Sequence, residues 1–362
     1  MTKQDTITAF DDAKSEAFAE RLVGALNDAA LVLMTSLGHR TGLFDTLADL
    51  PPSTVDQIAE AGELAPRYVR EWLGTMVTAG VVTYDADAET FHLPPEHAAW
   101  LTRAASPNNI AVTSQLVGVS ASVEDQMVER FCDGGGTQYC HYGHFHEVMA
   151  EDSYQTAVLG MDFILPIVPG LTERLEAGID VIDVGCGAGK VMLSLAQKFP
   201  ASRFTGVDLC ADAFAETTIT AARLGLGNLT LEARDLSTVE TLGNFDLVMA
   251  FDAVHDQKDP LGLVQLVRRS LRPGGIFLMQ DIGGSRDLEK NIANPFAPLL
   301  YAISLMHCTP ISVGQGGPGL GAMWGVETAC EYLGIAGFDS VETHSLPHDP
   351  INAYFVARVE PA

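Results

Sequence analysis

Basic side chains are what this chain has least of. Lys and Arg number 21 against 47 Asp and Glu in 362 residues, a formal net charge of -26. Only 19% of residues are charged, so the imbalance reflects missing cations, and the carboxylates are dispersed along the chain. A field of that sign repels phosphate backbones and anionic lipid, so neither nucleic acid nor a membrane is an expected partner. Cysteine is also sparse. Cys132, Cys140, Cys186, Cys210, Cys308 and Cys330 are scattered without a Cys-x-x-Cys pair, which argues for reduced thiols and a cytoplasmic setting. No apolar run approaches the roughly 18 residues that cross a bilayer. The longest, around Phe296 to Met306, reads as a buried or pocket-lining helix. The opening Met1-Thr2-Lys3-Gln4-Asp5 lacks the basic and apolar regions of a secretory leader. Apolar residues, by contrast, make up 47% of the chain, enough for a large core and two domains and too many for intrinsic disorder.

Residues 1–105 read as a helical unit with a hairpin. Phe18 to Leu37 is apolar at helical spacing, and a second short helix ends near Leu50-Pro51-Pro52. Ser53 is the expected N-cap of Thr54 to Ala61, closed by Gly62. Pro66 opens a helix to Ala79. Val81 to Tyr84 and Thr90 to Leu93, on either side of an acidic turn, predict a hairpin. Helices followed by a hairpin form a winged-helix pattern. A DNA reader needs a basic stripe on its recognition helix and wing. Here the only basic residues between Pro51 and Trp100 are Arg67 and Arg70, and the wing turn Asp85-Ala86-Asp87-Ala88-Glu89 is acidic. Dimerisation, or roofing an active site, suits this unit better.

Residues 106–165 read as a helical connector, broken at Gly134-Gly135-Gly136 and carrying the cluster Tyr139-Cys140-His141-Tyr142-Gly143-His144-Phe145-His146. Its Cys and three His raise a metal reading. The spacing matches no standard finger, and the interleaved aromatics favour lining a pocket, so no metal is expected. From 166 to 362 strand-like runs alternate with helical stretches: Val181–Val184, Arg203–Val207, Leu229–Glu232, Leu247–Ala250 and Gly275–Met279. That alternation predicts an α/β fold, a mostly parallel Rossmann-like sheet with helices on both faces.

The first of these strands runs into Val181-Ile182-Asp183-Val184-Gly185-Cys186-Gly187-Ala188-Gly189-Lys190 and then a helix. Glycines belong where a ligand presses on the backbone of a first strand-to-helix turn. A dinucleotide wants Gly-x-Gly-x-x-Gly, and neither count from Gly185 nor from Gly187 supplies the third glycine. The pattern is Asp-x-Gly-x-Gly-x-Gly. Asp208 ends the second strand, where a carboxylate accepts from ribose hydroxyls. Asp235 follows the third strand, where a carboxylate meets an adenine amino group. The fourth ends in Phe251-Asp252-Ala253-Val254-His255-Asp256.

With these residues in place, residues 150–358 resemble the class I S-adenosylmethionine (AdoMet)-dependent methyltransferases. With the N-terminal unit included, the chain resembles the mycobacterial-type winged-helix methyltransferases and the small-molecule O-methyltransferases. Three motifs carry the closer likeness: His255-Asp256-Gln257, Ser304-Leu305-Met306-His307-Cys308, and Gly316-Gly317-Pro318-Gly319-Leu320-Gly321-Ala322-Met323-Trp324-Gly325. The resemblance implies a seven-stranded sheet, AdoMet as cofactor and a small-molecule acceptor. Asp183, Gly185, Gly187, Gly189, Asp208, Leu209, Asp235, Leu236 and Phe251 are the implied cofactor residues.

Plant small-molecule O-methyltransferases place a His-Asp after the fourth strand as general base, which assigns His255 that role and Asp256 an orienting one. Their following aromatic is Gln257 here. His307 is a further catalytic candidate. Residues 286–325 interrupt the alternation as a substrate insert, and Tyr139, His141, His144, Cys308, Met323, Trp324 and His348 are candidates for the acceptor pocket. The expected activity is methyl transfer to a hydroxyl or a thiol, the chain acting as a homodimer. The alternatives are an N-methyltransferase or a winged-helix regulator that senses AdoMet.

Overall fold

A computed structural model describes residues 10–361, so the Met1–Asp5 opening lies outside the described residues. The chain divides into two compact units, residues 1–117 and 118–362. The boundary falls inside the helix Ile110–Ala121. The connector expected at 106–165 is therefore shared between two units, and the Gly-rich break and aromatic cluster fall in the second.

In the first unit, α1 (Asp12–Thr41) is capped by Asp11, whose side chain accepts from the Lys14 N–H, and ends at Gly42 with φ of 76°. α2 (Leu43–Asp49), α3 (Val55–Ala61) and α4 (Pro66–Thr78) follow, and β1 (Thr83–Asp85) pairs antiparallel with β2 (Thr90–His92). The cap of α3 is Thr54, in a reciprocal box with Gln57, and not the expected Ser53. Ser53 has another duty: it exchanges two backbone hydrogen bonds with Phe91 at 2.8 and 3.0 Å and so extends the wing by one rung. α4 starts with Pro66 and buries Val69, Trp72, Leu73 and Met76 against Leu43, Phe44 and Leu47 of α2. Trp72 donates to the Met34 carbonyl at 2.7 Å and meets the Phe44 ring edge-on at 5.2 Å. The first nineteen residues of α1 are exposed, including Phe18, Leu22, Val23 and Leu26.

The second unit is built on a seven-stranded sheet: β3 (Asp180–Val184), β4 (Arg203–Asp208), β5 (Leu229–Ala233), β6 (Phe245–Phe251), β7 (Leu271–Ile282), β8 (Ser340–Leu346) and β9 (Asp349–Arg358). Their spatial order is β5-β4-β3-β6-β7-β9-β8. The first five are parallel, and the β8–β9 hairpin adds antiparallel. Alternate side chains of each strand enter opposite cores. Ile182, Val184, Val248, Ala250, Phe277 and Met279 fill one, and Val181, Leu247, Met249, Ile276 and Leu278 fill the other. Both faces are thus covered, which is why the strands read as continuous apolar runs. The order reverses between β3 and β6, so a crevice opens beyond their carboxyl ends, the usual ligand position of such sheets.

Among the described residues two helices are long and apolar enough to cross a membrane by length and composition, Asp12–Thr41 and Ala297–Gly314. This corrects the expectation that no segment approaches that length. Continuous helix, rather than an unbroken apolar run, sets the span. In the second case a π segment, Ser304–Cys308, joins Ala297–Ile303 to Thr309–Gly314, and the joined helix buries Leu300, His307, Cys308 and Ile311 within the unit.

Candidate active site

The glycine turn is shaped by its backbone. Gly185, Gly187 and Gly189 all have positive φ, of 76°, 50° and 68°, a region that favours glycine. Gly189 begins the helix Lys190–Lys198. A Cβ on Gly187 would meet nothing within 4 Å, so its inner side faces open space. Asp208, at the end of β4, pins the turn: Oδ2 accepts from the Gly187 N–H at 2.8 Å and Oδ1 from Cys210 at 3.0 Å. Asp183 is 2% exposed, and its Oδ1 has no hydrogen-bond partner. Burial, reinforced by Asp208, pushes its carboxyl up to about 8. A buried carboxylate oxygen without a donor is costly, and a cationic amine laid along the turn would satisfy it. The residues present therefore fit AdoMet, which carries such an amine. Asp235 is exposed and caps the turn Leu236–Thr238, taking the Ser237 N–H at 2.9 Å. Leu209 is exposed, and Phe251 is partly buried at the end of β6.

The second part lies past β6 and β7. His255 is 2% exposed, and its Nδ1 lies 2.8 Å from Oδ1 of Asp281, which is fully buried. The same oxygen accepts from Trp324 Nε1 at 3.0 Å and the Ile282 N–H at 2.8 Å. Burial works against a charged imidazole, yet Asp281 and the hydrogen-bonded Cys308 thiol outweigh it and hold His255 well above the ordinary histidine range. With Nδ1 taken by Asp281, Nε2 is the nitrogen left to meet a proton on an acceptor. Asp256 is buried and accepts from the Tyr139 hydroxyl at 2.9 Å; burial, followed by neighbouring Asp281 and Asp208, raises its carboxyl. Asp252 has φ of 52°, a backbone conformation that non-glycine residues seldom adopt.

Tyr139 belongs to a strap laid across the helix Ala297–Gly314. The Thr137 N–H donates to the Pro310 carbonyl at 2.8 Å and the Tyr142 hydroxyl to the Met306 carbonyl at 2.7 Å. A Cβ on Gly136 would strike the Gly314 backbone, and one on Gly314 would strike the Thr137 backbone, so neither position tolerates a side chain. Under the strap His307 stacks on Phe145 at 4.0 Å and meets Tyr142 edge-on at 4.8 Å. Burial, with His255 and His146 nearby, lowers its imidazole to about 3, so it is neutral, and its Nε2 has no partner.

The structure thus brings His255, Asp256, His307, Cys308, Tyr139 and Trp324 together. His141 instead lies on the exposed side of the strap and accepts from the Gln138 N–H. His144 starts the helix Phe145–Ser153 with φ of 48°. His348 stacks on Phe163 at 5.1 Å, and its Nε2 meets the Thr156 carbonyl oxygen at 3.2 Å. Met323 packs against the backbone at Gly284. Cys140 is exposed, and among the described residues the Cys140–His146 cluster gathers no metal-ligand group. Sequence reasoning missed Asp281 and Asp252. The signal available was a lone carboxylate at each of two strand ends, in Met279-Gln280-Asp281-Ile282 and Phe251-Asp252.

Comparisons agree with this architecture. Residues 29–103 match the Rv2258c-like winged HTH domain, and residues 175–305 match a methyltransferase domain. The Nocamycin O-methyltransferase of Saccharothrix syringae is 29% identical over 120 residues, 32% of this chain and 43% of that protein. The (S)-coclaurine N-methyltransferase of Papaver somniferum is 27% identical over 126 residues, 35% of this chain and 34% of that protein. The matches therefore span less than half the length of these curated relatives. Human N-acetylserotonin methyltransferase, solved in complex with SAM, shares the fold over nearly all of both chains (98% of this one and 99% of that one) with a TM-score of 0.69 and 15% identity. The chain carries a winged helix-turn-helix domain followed by a Rossmann-like methyltransferase domain. Both domain matches agree with the winged-helix methyltransferases that its sequence motifs resemble.

Proposed function

We propose that this chain is an AdoMet-dependent methyltransferase acting on a hydroxyl or thiol of a small molecule, with His255 as general base or orienting group. The observation that carries the reading is the buried His255–Asp281 pair, 2.8 Å apart, set beyond the same sheet edge as the glycine turn. AdoMet supplies a methyl group on a sulfonium, an electrophile that needs alignment and little else from the protein. The turn Gly185–Gly189 and Asp208 would hold the cofactor, and the unpartnered Asp183 carboxylate would be available to its cationic amine. Asp281, itself fixed by Trp324 and the Ile282 N–H, orients the His255 ring toward the acceptor, whose proton passes to Nε2 once the ring has given up its own. The Cys308 thiol, hydrogen-bonded to His255, yields its place to that acceptor. Deep burial of His255, Asp281 and Cys308 keeps water from competing for the methyl group.

A hydroxyl with pKa near 10 requires the base, whereas a thiol already partly ionised near neutral pH requires mainly orientation. Labelled AdoMet offered with phenols, small thiols and amines in separate reactions decides the acceptor atom. Transfer only to amines would overturn the hydroxyl or thiol assignment. The exposed apolar residues of α1, Phe18, Leu22, Leu26, Leu33 and Leu37, support a homodimer through the N-terminal unit, which light scattering of the full chain tests. The alternative of a cofactor-sensing regulator draws on the winged HTH match. Against it stand the acidic wing, with Asp85, Asp87 and Glu89 exposed, and the pairing of Arg67 with Glu71. Salt-sensitive retention of the chain on duplex DNA would decide in favour of regulation.

A further inference from the structure

Parallel pairing of β6 with β7 sets Phe251 opposite Gln280, and the Asp252 N–H donates to the Gln280 carbonyl at 2.9 Å. One residue beyond this rung the two strands therefore present Asp252 and Asp281 side by side, with His255 returning over them from the following turn. One donor atom from each of the three lies within 4.8 Å of the others, with His255 Nδ1 at 2.8 Å from Asp281 and 3.8 Å from Asp252.

Hydrogen bonding leaves this cluster incomplete. All three donors to Asp281 converge on Oδ1, and Oδ2 of this fully buried side chain has no partner. Oδ1 of Asp252 is likewise buried without one. Among the described residues neither carboxylate is ion-paired with Lys or Arg, and the other groups nearby, Asp256 and Asp152, are also acidic. Two unsatisfied carboxylate oxygens beside one imidazole in a shielded site suit a cation that replaces the proton His255 shares with Asp281.

We propose that Asp252, His255 and Asp281 form a binding site for a divalent cation of the Mn²⁺ or Zn²⁺ class. Two carboxylates balance the double charge, and an imidazole beside them favours these borderline ions over Ca²⁺, which takes 6–8 oxygen ligands. Bonds of about 2.1 Å from each donor span up to roughly 4.2 Å across the ion, so the three atoms need to close by only about half an ångström. The ion takes the nitrogen through which Asp281 steers the ring and releases the proton carried there. Filling of the site and orientation of the base thus draw on one side chain.

The test is a titration of the chelator-treated full chain with Mn²⁺ alone, followed by the loss of the free-ion EPR signal, and then displacement by Zn²⁺. The expected result is one Mn²⁺ bound per chain, displaced by Zn²⁺, with affinity at least tenfold weaker in Asp252→Asn. Asp252 carries the test because it is partly exposed and Asn tolerates positive φ, so the variant keeps its circular dichroism spectrum and melting temperature. An undiminished free-ion signal at millimolar Mn²⁺ would overturn the site. So would unchanged binding in the folded Asp252→Asn chain. Methyl transfer in chelated buffer tests the enzymatic reading separately and is independent of either outcome.

Discussion

The two halves of the crevice are made in different ways. On the β3–β4 side the site is backbone: three glycines at positive φ, a helix start, and a carboxylate whose two oxygens pin neighbouring N–H groups. On the β6–β7 side it is side chains that converge from Tyr139, His255, Asp281, Cys308 and Trp324, with Tyr139 lying 117 positions before its partner Asp256. Backbone cradles suit a ligand common to many enzymes. Convergent side chains suit one that differs from enzyme to enzyme. The two halves are therefore expected to fail separately.

The sharpest way to break that separation is His255→Ala. Turnover with the true acceptor is expected to fall about 10²–10⁴-fold, the range of a lost general base, while AdoMet affinity measured by calorimetry stays unchanged. Asp208→Ala is the converse. Loss of its hydrogen bonds to the Gly187 and Cys210 N–H groups, together with the carboxylate expected to meet the ribose, is expected to weaken AdoMet about a hundredfold, with acceptor KM unaltered at saturating cofactor. Equal losses in both assays for either variant would mean that the halves act as one.

The third prediction concerns pH. Asp183 is raised to about 8 by burial and Asp208, so in the empty fold it stays protonated up to that pH, whereas the unfolded residue ionises near its ordinary 3.8. The folded state then binds the extra proton between these values, and its stability declines as pH rises through that window. A cationic amine prefers the ionised form, so AdoMet affinity should climb as pH rises toward about 8, by at most about tenfold per unit, and level off above it. Asp183→Asn should flatten both trends, as read by thermal melts and calorimetry across pH 5–9.

The smallest effect is expected from Trp324→Phe. It removes one of three donors to Asp281 at a cost of about 1–2 kcal/mol, or roughly 5–30-fold in turnover, with AdoMet binding intact. An unchanged rate would assign Trp324 to packing alone.

This contrast also explains what was legible in the sequence. The glycine turn and Asp208 are local, with spacing and chemistry both contained in a few residues, and the sheet follows from apolar runs buried on both faces. His255 was legible through its position after a strand. Asp281 was not, because its role comes from strand pairing that places it beside a residue 26 positions away. Trp324 was a pocket candidate, but nothing local in the sequence pairs its indole N–H with Asp281, 43 positions away. The histidines of residues 141–146 looked alike in sequence, yet the turn at Gln138 sends His141 outward while His146 stacks on Tyr139.

A π segment is a helix that has accepted one residue too many, and Ser304–Cys308 is such a place. Each residue of an α-helix turns the next by about 100°. Deleting one residue from this segment would restore an ordinary helix, the flanking turns keeping their facing while the side chains inside the segment close up by one position. His307 and Cys308 could not then both keep their partners, Phe145 on one side and His255 on the other. The surplus residue is what lets two adjacent side chains on one helix serve opposite duties, one lining the strap and one touching the base.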